Sequence, residues 1–246
     1  MWENKETENY IFYYHENTDA ERDLNQIIEK QEGCYEYICD VLKEKLNFKI
    51  KYYLCDSKEE VGLGTKFEDR NTKACGTDKE VHVLYNDEKV KNNGYHEDVH
   101  VIAYNTLNGH PKYYFIIEGL AQYFDRTWCG VANFTWIDYA LKNDRYPGLS
   151  IMRNTQDFVD ALFGGPLCGA FTEYLITAFN IDKYKEFYRK LDNNLDECLV
   201  NVFGFKLEEI EEKFIKYIKG LRVTDPMFAN NIYDFMEKEM KDRNLI

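Results

Sequence analysis

Two histidines, His96 and His100, lie four residues apart in the segment HEDVH, and Glu97 follows the first of them. On an α-helix, four residues correspond to about 400° of rotation and about 6 Å of rise, so both imidazoles project from one face. Two ligands of a tetrahedral zinc ion require this separation. Glu97 is rotated by about 100° from His96, which suits contact with a water beside the metal better than ligation. The pattern predicts a zinc site with Glu97 as general base.

A third ligand can come from Glu118, eighteen residues beyond His100 in the segment EGLAQY. The preceding run YYFII, residues 113–117, predicts a buried helix, and a carboxylate at the end of such a run needs a partner. The small residues Gly119 and Ala121 would let two helices approach closely. Two histidines and a glutamate leave the fourth position on zinc open, which is typical of catalytic sites. The alternative interpretation is a surface helix with two solvated histidines and a carboxylate.

The sequences of these segments resemble those of a known protein family. HEDVHVIAY followed by EGLAQYF is similar to the gluzincin metallopeptidases, the thermolysin-like class, and most of all to peptidases that share a catalytic domain with the zinc aminopeptidases. Residues 166–175, PLCGAFTEYL, resemble the Gly-x-Phe helix that such domains place behind the active site. Residues 203–218 resemble their closing helix. The resemblance spans roughly residues 10–220 and is strong only at the metal motif.

The resemblance implies a zincin fold and a zinc-dependent hydrolase of peptide bonds that acts on a peptide or protein substrate. One Zn²⁺ ion would be held by His96, His100 and Glu118. Glu97 would accept a proton from the attacking water and pass it to the leaving amine.

The sequence departs from this family in two places. Zinc aminopeptidases carry a tyrosine, the oxyanion donor, three residues before the glycine that matches Gly169, and Pro166 occupies that place here. Three other residues are candidates for this oxyanion or substrate contact: Tyr174, His110 and Tyr146. The G-x-M-E-N strand that grips a free amine is also missing, and Glu80 is the only acidic residue in a comparable place. These departures favour an endopeptidase over an aminopeptidase.

Two further hypotheses stay open. The first is a catalytically weak or inactive gluzincin-fold protein that retains zinc for binding or regulation. Pro166 favours it, whereas the presence of Glu97, which does not hold the metal, argues against it. The second is a hydrolase of a non-peptide amide or an epoxide on the same fold.

The 246 residues suit one catalytic unit of the α+β class with two lobes. We expect a small N-terminal mixed α/β lobe over residues 1–93 and a mainly helical lobe over residues 94–246. Alternating residues predict strands at 9–15, 47–55 and 80–86, with helices on one face of the sheet. Apolar spacing predicts one helix over 18–46, or two that break near Gly33. The edge strand along the cleft is either 73–76 or 80–85.

From residue 94 onward every predicted element is helical. The metal helix spans about 94–107, with a break at Asn108-Gly109. The further predicted helices are 113–127, 132–143, 155–163, 167–179, 181–192, 194–201, 206–221 and 226–242. His82, in the middle of a predicted strand, is interpreted as a hydrogen-bonded sheet residue, and His110 as a surface residue about 15 Å along a helix from His100.

The net charge of −13 argues against binding to nucleic acid or to an anionic membrane surface. The sequence contains neither a transmembrane stretch nor a signal peptide, which predicts a cytoplasmic protein if the chain is full length and is compatible with secretion if it is trimmed. Its seven cysteines are odd in number and form no CxxC pair, so they predict neither a disulfide framework nor a cysteine-rich zinc site.

Overall fold

The computed structural model describes residues 1–62, 74–86 and 93–222, together with residues 234, 237, 238 and 241. The chain divides into two compact units, Met1–His110 and Pro111–Ile246, here called the N-terminal and C-terminal units. The division predicted at residues 93 and 94 precedes the helix that carries HEDVH, whereas the compact N-terminal unit includes that helix. The tail helix predicted over 226–242 lies outside the described residues, apart from four isolated positions. The fold is mixed α+β.

Five strands form the sheet of the N-terminal unit, in the order β1-β2-β3-β5-β4. Their bounds are β1 Trp2–Glu6, β2 Tyr10–His15, β3 Ile50–Cys55, β4 Ala74–Gly76 and β5 Glu80–Leu84. The three central strands, β2, β3 and β5, are parallel, and the two outer strands pair antiparallel to their neighbours. The three predicted strands are therefore present, and β1 is an addition. Of the two candidates predicted for the edge strand, 73–76 and 80–85, the first contains β4, which is outermost in this order, and the second contains β5, which is not.

One face of the sheet is almost fully apolar and buried. The strands alternate, so every second residue points to this face: Tyr10, Phe12, Ile50, Tyr52, Leu54, Val81 and Val83. Two helices pack on this side of the N-terminal unit, α1 (Asp19–Leu42) and α3 (Tyr95–Thr106). Burial of these side chains on both sides of the contact provides the main apolar stabilisation of the unit.

The opposite face is not left open, which corrects the expectation of helices on one face only. The short helix α2, Lys58–Gly62, places Val61 against Cys55, Cys75 and Leu84. Beside this cluster, three aromatic rings stack along one register row. Tyr13 stacks on Tyr53 at 4.6 Å, and Tyr53 stacks on His82 at 4.5 Å. The second face is thus partly covered by a helix and partly by stacked rings.

Helix α1 is a single unbroken helix, which decides between the two predicted arrangements. A Cβ added at Gly33 would meet nothing within 4 Å, so no neighbouring element requires a glycine at this position, and the helix continues through it. The helix begins after Thr18, whose side chain accepts a hydrogen bond from the backbone N–H of Glu21. It ends at Lys43, which adopts a left-handed conformation with φ 54°.

The C-terminal unit is mainly helical. Its helices are α4 Tyr114–Asp125, α5 Asn133–Lys142, α6 Thr155–Asp160, α7 Gly164–Phe179, α8 Ile181–Lys190, α9 Leu195–Phe203 and α10 Leu207–Gly220. A 3-10 turn spans Leu149–Arg153. The predicted uniform helicity is wrong at one place, where strands β6 (Thr127–Trp128) and β7 (Val131–Ala132) form a hairpin. Cys129 and Gly130 both have positive φ, 51° and 77°, as a tight hairpin turn requires.

Helix α7 is the centre of the C-terminal unit and contacts α4, α5, α6, α8 and α10. Glycine makes two of these contacts close. A Cβ on Gly119 of α4 would lie 2.6 Å from Thr172 Oγ1, and a Cβ on Gly169 of α7 would lie 2.5 Å from Asn133 Nδ2. Small residues at these positions therefore set the distance between the helix that carries Glu118 and its neighbour.

Candidate metal centre

Helix α3 carries the HEDVH segment and begins directly after Gly94. The imidazoles of His96 and His100 lie edge to face, with ring centroids 4.9 Å apart and an interplanar angle of 82°. Both side chains and that of Glu97 are half-buried. The rotation of the helix that was predicted from the spacing therefore places the two imidazoles side by side on one partly exposed face.

The edge strand β4 lies directly against this helix. A Cβ added at Gly76 would come 3.0 Å from the carbonyl oxygen of Glu97, 3.3 Å from Glu97 Oε2 and 3.3 Å from His100 Cβ. Only a residue without a side chain allows such an approach without a shift of its neighbours. The last residue of the edge strand is thus in contact with both the predicted general base and a predicted ligand.

Glu118 lies on α4, immediately before the glycine that contacts α7. Its carboxylate is half-buried. The negative charge of Glu118 affects two buried groups, the Cys168 thiol and the Tyr188 hydroxyl. Burial is the main cause that raises the pKa of each, and Glu118 raises both further. The charge of Glu118 therefore acts on buried groups of α7 and α8, whose raised pKa values favour their neutral forms.

The nearest ligating atoms of His96, His100 and Glu118 all lie within 4.8 Å of one another. Two imidazole nitrogens and one carboxylate oxygen form the donor set of many catalytic zinc sites, and such a set leaves one position open. Tetrahedral zinc bonds of about 2.0–2.2 Å place ligand atoms about 3.3–3.6 Å apart. Side chains whose ligating atoms lie within 4.8 Å of one another therefore need only a small adjustment to hold one ion. The donor set and its spacing are therefore suitable for one zinc ion, with Glu97 adjacent to the set.

His110 lies beside His100, although ten residues separate them. Asn108 and Gly109 have positive φ, 70° and 84°, and reverse the chain directly after α3. The ring of His110 then packs edge to face on His100, with centroids 5.9 Å apart, and on Tyr104 at 5.2 Å. The residue is exposed, as expected, but the distance of about 15 Å along a helix does not apply because the chain folds back.

The two tyrosines considered with His110 are engaged elsewhere in the C-terminal unit. Tyr174 packs among aromatic rings of α7 and α10, with Phe214 at 5.6 Å and Tyr217 at 5.4 Å. The hydroxyl of Tyr146 donates a hydrogen bond of 2.9 Å to Glu211 Oε1, and burial together with this carboxylate raises the pKa of Tyr146. Pro166 is buried in the first turn of α7. Of the three candidates, His110 is the one whose described contacts include a predicted ligand, His100.

His82 and Glu80 both contact other residues of the sheet. His82 is buried, and its ring stacks on Tyr53. Glu80 accepts a hydrogen bond of 2.9 Å from Lys51 Nζ, and its other oxygen lies 3.5 Å from His82 Nε2. Burial raises the pKa of Glu80, but Lys51 and His82 outweigh it and hold that pKa below its ordinary value. His82 is therefore a sheet residue, as predicted, but among the described residues its buried Nε2 has no hydrogen-bond partner, so the predicted hydrogen bond is not present at that atom. Glu80 is the first residue of β5.

The sequence did not identify Tyr188 as a residue whose pKa the charge of Glu118 raises. The apolar and aromatic residues of α8 at helical spacing, Tyr184, Phe187 and Tyr188, indicate a buried face. That signal alone does not show which buried residue lies close to a carboxylate on another helix. All seven cysteines, each within the described residues, carry thiols and none forms a disulfide, in agreement with their sequence pattern.

In comparisons with known proteins, no family model matches the chain, and no curated protein or solved structure gives a significant match. Among the described residues, no helix combines the length and apolar character needed to cross a bilayer. A functional assignment for this chain consequently depends on the geometry and chemistry of its own residues.

Proposed function

We propose that the protein is a zinc-dependent metallopeptidase that hydrolyses internal peptide bonds. One observation carries the proposal: the ligating atoms of His96, His100 and Glu118 lie within 4.8 Å of one another, with Glu97 next to His96. A structural zinc site needs four protein ligands, whereas this set offers three. Glu97 lies beside these three ligands without being one of them, so its carboxylate is available as the general base that catalysis requires.

A zinc ion held by these three side chains would supply a Lewis acid that acidifies water and polarises a carbonyl group. Glu97 would accept a proton from the attacking water and transfer it to the leaving amine. His110 would donate a hydrogen bond to the oxygen on which negative charge develops. The position of its ring beside His100, at 5.9 Å between centroids, supports this role over Tyr174 and Tyr146.

The edge strand β4 supports a peptide as the substrate. It pairs with β5 on one side, and in the described part of the sheet its other side is an edge. An extended peptide can add to such an edge through backbone hydrogen bonds. Gly76, at the end of β4, lies against Glu97 and His100, so a peptide on this edge would pass close to the proposed catalytic groups. Recognition of backbone rather than of a free amine is consistent with an endopeptidase.

A second candidate is a catalytically weak or inactive protein of similar architecture that binds zinc. One observation favours it: Pro166 is buried in the first turn of α7, and no tyrosine hydroxyl can be presented from that position. Under this alternative, zinc would be present without peptide cleavage, which separates the two candidates in one experiment.

The test combines metal analysis with digestion of a peptide library by the purified protein. We expect one zinc ion per chain and cleavage at internal bonds. Glu97→Gln should keep the zinc and lose about 10²–10⁴-fold in turnover, because the amide cannot accept the proton. Glu212→Gln, at an exposed position of α10, is the matched control and should cleave normally. Zinc without cleavage in the wild type would favour the second candidate, and a wild type without zinc would exclude both.

A further inference from the structure

Asp98 lies on α3 between Glu97 and His100, but it points into the protein and is 0% exposed. It is rotated by about 200° from His96, so it projects from the opposite face of the helix. Its Oδ2 accepts two hydrogen bonds, one of 2.6 Å from the hydroxyl of Tyr10 and one of 2.8 Å from Nε2 of Gln31. A single carboxylate oxygen therefore connects α3 to strand β2 and to helix α1.

The same segment of α1 also holds the start of α3. Nε2 of Gln31 donates to the carbonyl oxygen of Gly94 at 3.1 Å, and Nζ of Lys30 donates to the carbonyl oxygen of Asn93 at 2.6 Å. Since both carbonyls directly precede α3, the helix is fixed at its entrance and, through Asp98, at its first turn. Three points of attachment restrict rotation about the helix axis as well as translation along it.

These contacts are not the arrangement that stability alone would favour. Asp98 Oδ1 and Gln31 Oε1 are buried and have no hydrogen-bond partner among the described residues. A buried carboxylate that is only partly satisfied costs more free energy than an apolar side chain of similar size. A polar group in this place provides directionality, because hydrogen bonds, unlike apolar contacts, fix an orientation.

Orientation matters here because the two imidazoles share one helix. Side-chain atoms lie about 5–6 Å from a helix axis, so a rotation of about 10° moves them by about 1 Å. A metal or catalytic centre tolerates a displacement of about 0.5 Å. A small rotation of α3 would therefore move His96 and His100 out of the position required for ligation.

We propose that Asp98, held by Tyr10 and Gln31, is a positioning residue that sets the rotation of α3 and thereby the affinity of the metal centre. This role rests on the proposed zinc site and adds to it a group that touches neither metal nor substrate. Tyr10 acts through Asp98, and Asp98 acts through the helix.

Zinc affinity, measured by competition with a chromophoric chelator well below the unfolding temperature, tests the proposal. Tyr10→Phe removes one donor to Asp98 and should weaken zinc binding by about tenfold, in the range found when groups that orient metal ligands are removed. Tyr35→Phe is the matched control. Tyr35 is equally buried, and its hydroxyl accepts a hydrogen bond from Leu46 N rather than contacting α3. This control should bind zinc within about twofold of the wild type, at a comparable loss of stability.

Two variants of Asp98 complete the experiment. Asp98→Ala should weaken zinc binding at least as much as Tyr10→Phe. Asp98→Asn keeps an oxygen that accepts from Tyr10 and Gln31, so it should restore affinity to near the wild-type value. Equal affinity of wild type, Tyr10→Phe and Asp98→Ala would overturn the positioning role while leaving the zinc site intact. A wild type that binds no zinc would overturn both. Should Asp98→Ala fail to fold, the comparison of Tyr10→Phe with Tyr35→Phe still decides.

Discussion

The imidazoles of His100 and His110 lie edge to face with their centroids 5.9 Å apart, on opposite sides of a chain reversal. Asn108 and Gly109 produce that reversal with two consecutive positive φ angles. A residue that follows a helix is thereby returned to the side of the helix that carries the proposed ligands. His110 is exposed and can meet a substrate there.

This relationship predicts the effect of His110 variants. His110→Ala should lower kcat by about 10²–10³-fold, the loss expected when one donor to a developing oxyanion is removed, with KM and zinc content little changed. His110→Gln retains an N–H donor and should recover part of kcat. Steady-state kinetics on a peptide substrate and metal analysis of each variant provide the measurement.

The control for His110 is His15, a half-buried histidine that ends β2 and contacts Met1 and Glu60. His15→Gln should leave kcat unchanged. If His110→Ala loses zinc in proportion to activity, His110 supports the metal centre and does not contact the oxyanion. If it cleaves at the wild-type rate, another group supplies the donor.

Gly76 provides a test of the contact between the edge strand and α3. Gly76→Ala would bring a methyl group to 3.0 Å from the carbonyl of Glu97 and to 3.3 Å from His100 Cβ, so the strand or the helix must shift by a few tenths of an ångström. We expect a loss of about 1–3 kcal/mol in the free energy of unfolding and a fall in kcat/KM. Gly33→Ala, on α1 with open space around it, is the control and should stabilise the protein by about 0.5–1 kcal/mol. Normal activity of Gly76→Ala would show that this contact does not position the site.

The sequence predicted helix α3, the central strands and most helices of the C-terminal unit because each has a strong apolar period. Strand β1 was not predicted because WENKE has one apolar residue. Strand β4 was predicted only as one of two candidates for the edge, because three residues are too few to show alternation. The hairpin around Cys129 lies at the junction of two predicted helices, 113–127 and 132–143, and was not predicted, since its strands have two residues each.

The candidate site also contains some relationships that the sequence predicts and others that it does not. His96, Glu97 and His100 lie within one helical turn, and their mutual arrangement follows from helix geometry alone. The position of His110 depends instead on Asn108 and Gly109, which have positive φ and reverse the chain. A periodic apolar pattern does not reveal where the chain leads after such a reversal. The partners of Asp98 are distant in sequence and are brought together only by the packing of β2 and α1 on α3.

His82 predicts a pH dependence of stability. Its burial lowers its pKa from the ordinary value of 6.5, although Glu80 opposes the shift. The unfolded chain therefore binds a proton that the folded chain does not. The contribution of His82 to stability is present above about pH 6.5 and is lost as the pH falls through its lowered folded-state pKa. Urea denaturation at pH 7.5 and at pH 5.5 measures this loss.

His82→Phe keeps a ring that can stack on Tyr53 and removes the titrating group. The difference in free energy of unfolding between the two pH values should be smaller in this variant than in the wild type. His15 acts in the opposite sense: although burial lowers its pKa, the Met1 carbonyl and Glu60 raise it overall, and it titrates in both proteins alike. An unchanged pH dependence in His82→Phe would show that His82 is not the group responsible.

The close approach of α4 to α7 predicts a coupled pair of substitutions. Gly119→Ala would place a methyl group 2.6 Å from Thr172 Oγ1 and 3.0 Å from the carbonyl of Cys168, so we expect a loss of about 1–3 kcal/mol in the free energy of unfolding. Thr172→Ala removes the nearer of these atoms. The double variant should therefore lose less stability than the sum of the single losses, with a coupling of about 0.5–3 kcal/mol. Urea denaturation of the four proteins measures this coupling. Strictly additive losses in the free energy of unfolding would show that the two helices are not in contact at this point. Because Glu118 adjoins Gly119, zinc affinity should also fall in Gly119→Ala and recover in part in the double variant.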